Sequence, residues 1–340
     1  MKNKKWISLA AAVVLAVTAL PMGVFAAKKD STEEKLTKVT LNEVAHSIFY
    51  APQYVAIEEG YFAEKGLDLT LVTGFGADKT MTAVISGEAD IGFMGAEASV
   101  YAYQEGATDP VVNFAQLTQR AGNFLVAREE MPDFKWEDLK GEKVLGGRKG
   151  GMPEMVFEYI LKKNGIDPQK DLTIDQSIDF GSTAAAFTSD DSAAYTVEFE
   201  PSATILEKDG AGYVVASLGE ASGYVPYTSY STKASYMKEN PEIIQKFTDA
   251  LQKGMDYVQN HTPEEIAEVI APQFKETDLE TITAIVKRYY DQDTWKENLI
   301  FEKDSFELLQ DILEDAGELT DRTAYENLVQ TEYAQKACKN

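Results

Sequence analysis

The chain alternates short apolar segments with amphipathic ones in two separate series, and this feature constrains the fold more than any other. In each series a short apolar run with the composition of a strand precedes a longer run whose apolar residues recur at helical spacing. Such alternation is typical of strands joined by helical crossovers, in which ligands bind at the carboxyl ends of the strands. We therefore predict an α/β fold with two lobes, each a mixed sheet flanked by helices.

The first series predicts strands at 39–44, 67–73, 90–94 and 111–116, with helices at 54–62, 78–86 and 97–104. The second predicts strands at 143–146, 172–178, 193–199 and 213–217, with helices at 153–163, 182–188 and 201–208. A chain of 340 residues is longer than the roughly 250–300 residues that usually fold around a single hydrophobic core. We expect lobe 1 to comprise residues 38–123 and 233–335 and lobe 2 residues 129–226, with the extended apolar segments 124–128 and 227–232 crossing between them.

The last third of the chain reads as helical, and we expect its helices to cover lobe 1. Pro241 and Pro263 each follow a polar residue that can cap a helix, and apolar residues then recur at helical spacing. Two further helices are predicted from pairs that resemble capping boxes, Thr277 with Glu280 and Asp304 with Glu307.

The first 26 residues have the pattern of an export signal. Lysines at positions 2, 4 and 5 precede an apolar run at 7–20, and Val24-Phe25-Ala26 forms a small-x-small cleavage site. The run is shorter than the roughly 20 residues of a membrane span, so we expect no membrane insertion. The polar segment 27–37 is expected to be a mobile linker. The single cysteine, Cys338, is not placed to accept a lipid anchor, so we expect a periplasmic protein, with a secreted or cell-surface location as the weaker alternative.

Charge and residue usage exclude several function classes. With 32 Lys+Arg against 56 Asp+Glu, the formal net charge is -24. The sequence contains no cluster of basic residues that could bind nucleic acid or anionic lipid. One cysteine and two histidines leave few candidates for a metal cluster or a histidine-dependent triad, and the common catalytic motifs are absent. We expect a monomer that is not an enzyme, with no catalytic residues, no metal and no cofactor.

Acidic residues follow the predicted strands in both series. Glu97 stands where a strand passes into a helix, and Glu198 and Glu200 occupy the equivalent place in the second series. Such acids are often only partners of the helix dipole. Two acids at facing strand ends could instead hold a donor-rich or cationic ligand, and aromatic residues at 49, 50, 224 and 227 flank the same predicted cleft.

Several spaced segments resemble one family. His46 to Ala56 (HSIFYAPQYVA), the Glu-Gly-Tyr-Phe at 59–62, the Gly-Leu-Asp-Leu at 66–69 and the Ser-Gly-Glu-Ala-Asp-Ile-Gly at 86–92 are similar to the opening lobe of ABC-importer substrate-binding proteins. The branch resembled is the SsuA/THI5-like one, which serves nitrate, sulfonates, taurine and thiamine-pyrimidine precursors. The resemblance covers residues 38–300 and implies a type II periplasmic-binding-protein fold with two crossover strands, which closes over one small molecule and docks on a permease with its ATPase.

Carried over position by position, the family's ligand loops fall at 47–51, 75–77, 95–97, 118–120, 148–152, 181–183 and 198–201. Together with the acids and aromatic residues above, the predicted ligand-binding residues are Ser47, Phe49, Tyr50, Phe75, Gly76, Gly95, Glu97, Gln119, Arg148, Gly150, Gly151, Met152, Ser182, Glu198, Glu200 and Tyr227.

The identity of the ligand is left between two classes. Anion-binding members tend to place Ser or Thr after the Lys-Gly of the second-lobe loop, whereas Gly151 and Met152 follow here. Because Glu97 and Glu198 add negative charge, we favour a neutral or cationic nitrogen-rich molecule such as a pyrimidine. Arg120, together with the basic pair at 148–149, keeps a sulfonate, taurine or nitrate as the alternative. From another class, the resemblance allows a pyrimidine-synthesis enzyme on the same fold.

Overall fold

The computed structural model describes residues 35–339, so the expected export signal at 1–26 and most of the expected linker lie outside the described residues. Strand β1 already begins at Thr37, the last residue of that linker, and Thr37 pairs with Leu67. The strands are β1 Thr37–Glu43, β2 Leu67–Thr73, β3 Ile91–Met94, β4 Val111–Thr118, β5 Asn123–Ala127, β6 Lys143–Leu145, β7 Thr173–Asp175, β8 Tyr195–Phe199, β9 Tyr213–Ser217 and β10 Thr228–Lys233.

The predicted helices are present, with 54–62 divided into two, and the structure adds short helices at 218–222, 234–239, 325–328 and 332–337 that the sequence did not predict. They are α1 Ala51–Glu58, α2 Tyr61–Glu64, α3 Ala77–Ser86, α4 Glu97–Gln104, α5 Met152–Lys163, α6 Thr183–Ser189, α7 Ser202–Lys208, α8 Leu218–Ser222, α9 Ala234–Glu239, α10 Pro241–Asn260, α11 Pro263–Ile270, α12 Leu279–Asp291, α13 Lys303–Asp315, α14 Tyr325–Leu328 and α15 Glu332–Ala337.

Two five-stranded mixed sheets form the framework, which confirms the predicted fold class. The first has the order β2-β1-β3-β10-β4, with β10 antiparallel to both of its neighbours. The second has the order β7-β6-β8-β5-β9, with β5 antiparallel to β8 and β9. Lobe 1 below means the first sheet with α1–α4 and α9–α15, and lobe 2 means the second sheet with α5–α8.

The segments expected to cross between the lobes are strands inside the sheets instead. Residues 123–127 form β5, which pairs along its whole length with β8, and residues 228–233 form β10 in the first sheet. The chain passes between the sheets a few residues earlier in each case, at 119–122 and 223–227. Extended character alone does not show whether a segment crosses between lobes or pairs within a sheet. The second segment is also largely hydroxylated rather than apolar, with four Ser or Thr residues at 228–232.

The tail helices also differ from expectation. The capping residue of α12 is Asp278, whose side chain accepts from the Thr281 backbone N–H, so the predicted Thr277 capping box is wrong. Helix α10 packs on α1 in lobe 1 as expected. Helices α12 and α13, in contrast, also contact lobe 2: Arg288 of α12 bonds to Glu200, and α13 packs against α5.

Candidate ligand-binding site between the two sheets

The carboxyl ends of strands from both lobes face one another and are in direct contact. Ser47, after β1, places its Oγ 3.5 Å from the carbonyl oxygen of Glu200 at the end of β8. The hydroxyl of Tyr101 donates to the Gly150 carbonyl at 3.1 Å. Most of the loops that the resemblance predicts as ligand loops therefore meet at one interface, with lobe 2 closed against lobe 1.

An aromatic cluster around Phe49 fills part of this interface. The ring of Phe49 is fully buried and lies 5.2 Å from Tyr50, 5.6 Å from Tyr227 and 6.3 Å from Phe199, measured between ring centroids. A Cβ atom at Gly122 would come within 2.6 Å of the Phe49 ring, so only glycine allows the connecting segment to approach so closely. The cluster joins residues of both lobes and of both connections.

Glu97 is the buried acid of lobe 1 at this interface. It is the first residue of α4, and its carboxylate folds back over Gly95, where a Cβ atom would lie 2.0 Å from a carboxylate oxygen. The backbone N–H of Met152, at the start of α5 in lobe 2, donates to the carboxylate. The Oε2 atom has no hydrogen-bond partner among the described residues, although the side chain is only 3% exposed. Burial raises the pKa of this carboxyl to about 7.

Two further buried polar groups beside the cluster lack partners within residues 35–339. One is the hydroxyl of Tyr227. The other is the side-chain amide of Asn123, the first residue of β5, in which neither Oδ1 nor Nδ2 has a partner. Leaving a buried donor or acceptor unsatisfied costs about 1–3 kcal/mol, so such groups are rare in a core that serves packing alone. Asn123 was missed by the sequence analysis; its only signal was a polar residue at the head of an apolar run.

The acids of lobe 2 are more fully engaged than Glu97. Glu198 accepts from the Thr196 hydroxyl at 2.6 Å and from the Thr183 side chain, and burial raises its pKa to about 7. Glu200 accepts from the Thr204 backbone N–H and hydroxyl, each at 3.0 Å, and from Arg288 at 2.6 Å. Glu200 therefore caps α7 and joins α12 to lobe 2.

The basic residues of the glycine-rich loop lie at the exposed edge of the interface. Arg148 approaches Asp78 at 3.5 Å and Lys149 approaches Glu318 at 3.3 Å, with both cationic side chains more than half exposed. The Gly150 backbone N–H donates to the Glu154 carboxylate at 3.2 Å and is therefore not free to bind a ligand oxygen. This loop thus directs its charges at acids of lobe 1.

The remaining predicted residues are distributed unequally. Tyr50 and Met152 are buried at the interface, whereas Ser182 is exposed at the start of α6. Gln119 donates to the backbone oxygens of residues 293 and 295 and so attaches the connecting segment 119–122 to the C-terminal part of the chain. Phe75 is 76% exposed and has a positive φ of 57°, with Gly76 beside it and Gly151 partly buried on the facing loop. The structure therefore brings Glu97 and Met152 together with the aromatic residues at 49, 50 and 227, and leaves Phe75, Ser182 and the Arg148 side chain exposed.

Among the described residues no group of three or more His, Cys, Asp or Glu side chains is arranged to hold a metal ion. Within residues 35–339, no helix has both the length and the apolar character that a membrane crossing needs.

Comparison with known proteins identifies the family. The NMT1/THI5-like family model matches residues 48–266. The chain belongs to the NMT1/THI5-like family. A Bacillus subtilis (strain 168) protein named "Putative binding protein YtlA" is 46% identical over 98% of each chain. The riboflavin-binding protein RibY of Chloroflexus aurantiacus is 25% identical over 68% of this chain and 65% of its own length.

A solved structure shares the fold of this family member. The alkanesulfonate-binding protein SsuA of Xanthomonas axonopodis pv. citri, bound to MOPS, aligns with a TM-score of 0.69 and 15% identity over 87% of this chain and 99% of that one. The resemblance that the sequence indicated, and the periplasmic-binding-protein fold that it implied, are confirmed.

Proposed function

We propose that this NMT1/THI5-like protein is the substrate-binding component of an ABC importer and captures a small nitrogen-rich aromatic molecule that is neutral or cationic. The observation that carries the proposal is Glu97: a desolvated carboxylate with one unpartnered oxygen, at the contact between two lobes and beside an aromatic cluster. An N–H donor of the ligand would satisfy that oxygen, and its ring would stack on the apolar faces nearby.

The alternative ligand is an anion such as a sulfonate, taurine or nitrate. The Met152 N–H at the start of α5 already donates to the Glu97 carboxylate. An anion at this place would therefore be repelled by Glu97 and would find that donor already used. The cations that could offset this charge, Arg148 and Lys149, point to acids at the exposed edge. Arg120 donates to the Gly219 carbonyl at 3.1 Å and lies 4.3 Å from the Tyr224 ring centroid, and its buried Nε, which has no partner among the described residues, keeps the anion as the alternative. The position of Glu97 and the outward direction of Arg148 and Lys149 favour the nitrogen-rich ligand.

Binding and closure, without bond making, are the proposed work of the protein. The relative with 46% identity is described as a binding protein, which supports this proposal over a pyrimidine-synthesis enzyme. Delivery to a permease and its ATPase, export with loss of residues 1–26, a periplasmic location and a monomeric state belong to the same proposal. The intact mass of the exported protein and its molar mass in solution test the last points directly.

A thermal-shift panel tests the choice of ligand. We expect stabilisation by nitrogen-rich rings such as 4-amino-2-methylpyrimidine or riboflavin, and none by taurine, MOPS or nitrate at equal concentration. Glu97→Gln is the matched variant, because it keeps the shape of the side chain and removes its charge. Stabilisation by an anion alone, retained in Glu97→Gln and lost in Arg148→Ala, would contradict the proposal. Turnover of a stabilising compound would instead favour the enzyme.

A further inference from the structure

Asn123 differs from the other buried side-chain amides that the structure describes because neither end of its side chain is satisfied. Within residues 35–339, both Oδ1 and Nδ2 lack a hydrogen-bond partner, and the residue is 0% exposed. Asn113, an asparagine of similar burial on β4, shows the ordinary situation: its Oδ1 accepts from Ser229 at 2.6 Å and its Nδ2 donates to the Leu328 carbonyl at 3.1 Å. The two residues form a matched pair for experiment.

The surroundings of Asn123 explain why the protein does not satisfy the amide. Its cross-strand partner on β8 is Phe199, which carries no polar side-chain atom. The two preceding carbonyls are already used: that of Gly122 accepts from Tyr289 at 2.8 Å, and that of Ala121 accepts from Gln292 at 3.3 Å. The cost of the unpartnered amide is therefore not relieved locally.

Asn123 also lies at the edge of the aromatic cluster. Gly122, the residue before it, touches the Phe49 ring, and Phe199, its cross-strand partner, is another neighbour of that ring. A planar molecule beside Phe49 would thus present an edge near the amide. A primary amide offers a donor and an acceptor side by side in one plane, and asparagine pairs in this bidentate manner with a ring that carries an acceptor next to an N–H.

We propose that Asn123 determines ligand specificity by forming two hydrogen bonds to one edge of the bound ring: Nδ2 donates to a ring acceptor, and Oδ1 accepts from the adjacent N–H. The chemical class selected is a planar heterocycle with neighbouring acceptor and N–H groups, as in an amino-substituted azine or a cyclic imide. This inference rests on the proposed function, because it assigns a role within the same site.

The test compares probe pairs that differ only at the N–H. Calorimetry is performed with 4-aminopyrimidine against 4-(dimethylamino)pyrimidine and with riboflavin against 3-methylriboflavin, on the wild type, Asn123→Leu and Asn113→Leu. In at least one pair the wild type should bind the N–H member about 5- to 150-fold more tightly, and Asn123→Leu should lose this preference. A stable Asn123→Leu with unchanged preference overturns the inference.

Stability of the unliganded protein gives a second, independent readout. Asn123→Leu removes two unsatisfied groups, so its melting temperature should equal or exceed that of the wild type, whereas Asn113→Leu, which breaks formed hydrogen bonds, should melt lower. If Asn123→Leu fails to fold, Asn123→Ala takes its place: an unchanged preference in that variant, or equal affinity of the wild type for both members of each pair, overturns the inference. A wild type that binds only taurine or MOPS overturns the proposed function together with the inference, and is thereby distinguished from failure of the Asn123 role alone.

Discussion

The centre and the edge of the interface between the lobes are built in opposite ways. At the centre, Glu97, Asn123 and Tyr227 are buried and each has a polar atom with no partner in the described part of the chain. At the edge, Arg148 of lobe 2 is paired with Asp78 of lobe 1, and Arg288 of lobe 1 is paired with Glu200 of lobe 2. The charged groups at the edge are therefore paired within the protein, whereas the unpartnered groups at the centre would be satisfied by a molecule that supplies donors and acceptors.

The largest expected effect lies at the one edge pair with a buried partner. Arg288 bonds to Glu200, whose side chain is fully buried, at 2.6 Å, and to Glu207 at 2.9 Å. Arg288→Ala leaves the Glu200 charge without its main cationic partner, and we expect a loss of about 3–5 kcal/mol in the free energy of unfolding. Urea denaturation measures it. A loss below about 1 kcal/mol, the usual value of an exposed pair, would remove the distinction between this pair and the rest of the edge.

The next effect is at the centre and appears in binding. A hydrogen bond to a charged group contributes about 1.5–3 kcal/mol. Glu97→Gln should therefore lower the affinity for a cationic ligand by roughly ten- to a hundred-fold, at about 1.4 kcal/mol per decade. Calorimetry with a protonated aminopyrimidine measures the change, with Glu198→Gln as the comparison, since Glu198 has partners of its own. If affinity is unchanged while the melting temperature falls, Glu97 serves only the fold.

The pH dependence of stability reports on the buried acids at the contact between the lobes. Burial raises the pKa of Glu97 and Glu198 to about 7, from an ordinary 4.5. Because the folded state binds more protons at these two carboxyls in this window, their contribution to stability should be fully present below pH 4.5 and should be lost as the pH rises to about 7. One unit of pKa difference corresponds to about 1.4 kcal/mol.

Urea denaturation of the wild type and Glu97→Gln at pH 4.5 and 8 checks this dependence, and the variant should show a shallower decline. The pKa of His46, raised chiefly by its hydrogen bond to Glu43, contributes a loss of the same sign at higher pH, so the two proteins are compared at each pH. Parallel curves would show that Glu97 titrates normally in the folded protein. For a cationic ligand, affinity should rise through about pH 7, since the carboxylate form binds it.

The smallest effect is expected at the exposed part of the edge. Arg148→Ala and Lys149→Ala each remove a pair between side chains that are mostly in water, and such pairs contribute about 0–1 kcal/mol. Neither substitution should change ligand affinity more than about five-fold, by the conversion of about 1.4 kcal/mol per decade. A ten-fold loss of affinity for any ligand in Arg148→Ala would place this residue at the centre and revive the anion alternative.

The sequence predicts the positions of most helices and strands well, because the patterns that indicate them are local. Strand β2 and helix α4 have the predicted bounds, since apolar spacing and turn residues lie within the segments themselves. It also placed Glu97 at a strand-to-helix junction, where the pattern of one strand and one helix is sufficient. It failed for β5 and β10, because their antiparallel insertion into the sheets depends on partners such as β8, about 70 residues away.

By itself, the sequence determined two α/β lobes, the family and the acidic and aromatic character of the facing strand ends. Only the tertiary structure decided which polar groups remain unpartnered. Arg148 and Asp78 come from different lobes, as do Lys149 and Glu318, and each pair forms when the lobes meet. Asn113 and Asn123 look alike in the sequence, yet one amide is satisfied and the other is not. The physical reason is that hydrogen bonding in a core is settled by neighbours in space, most of which are distant along the chain.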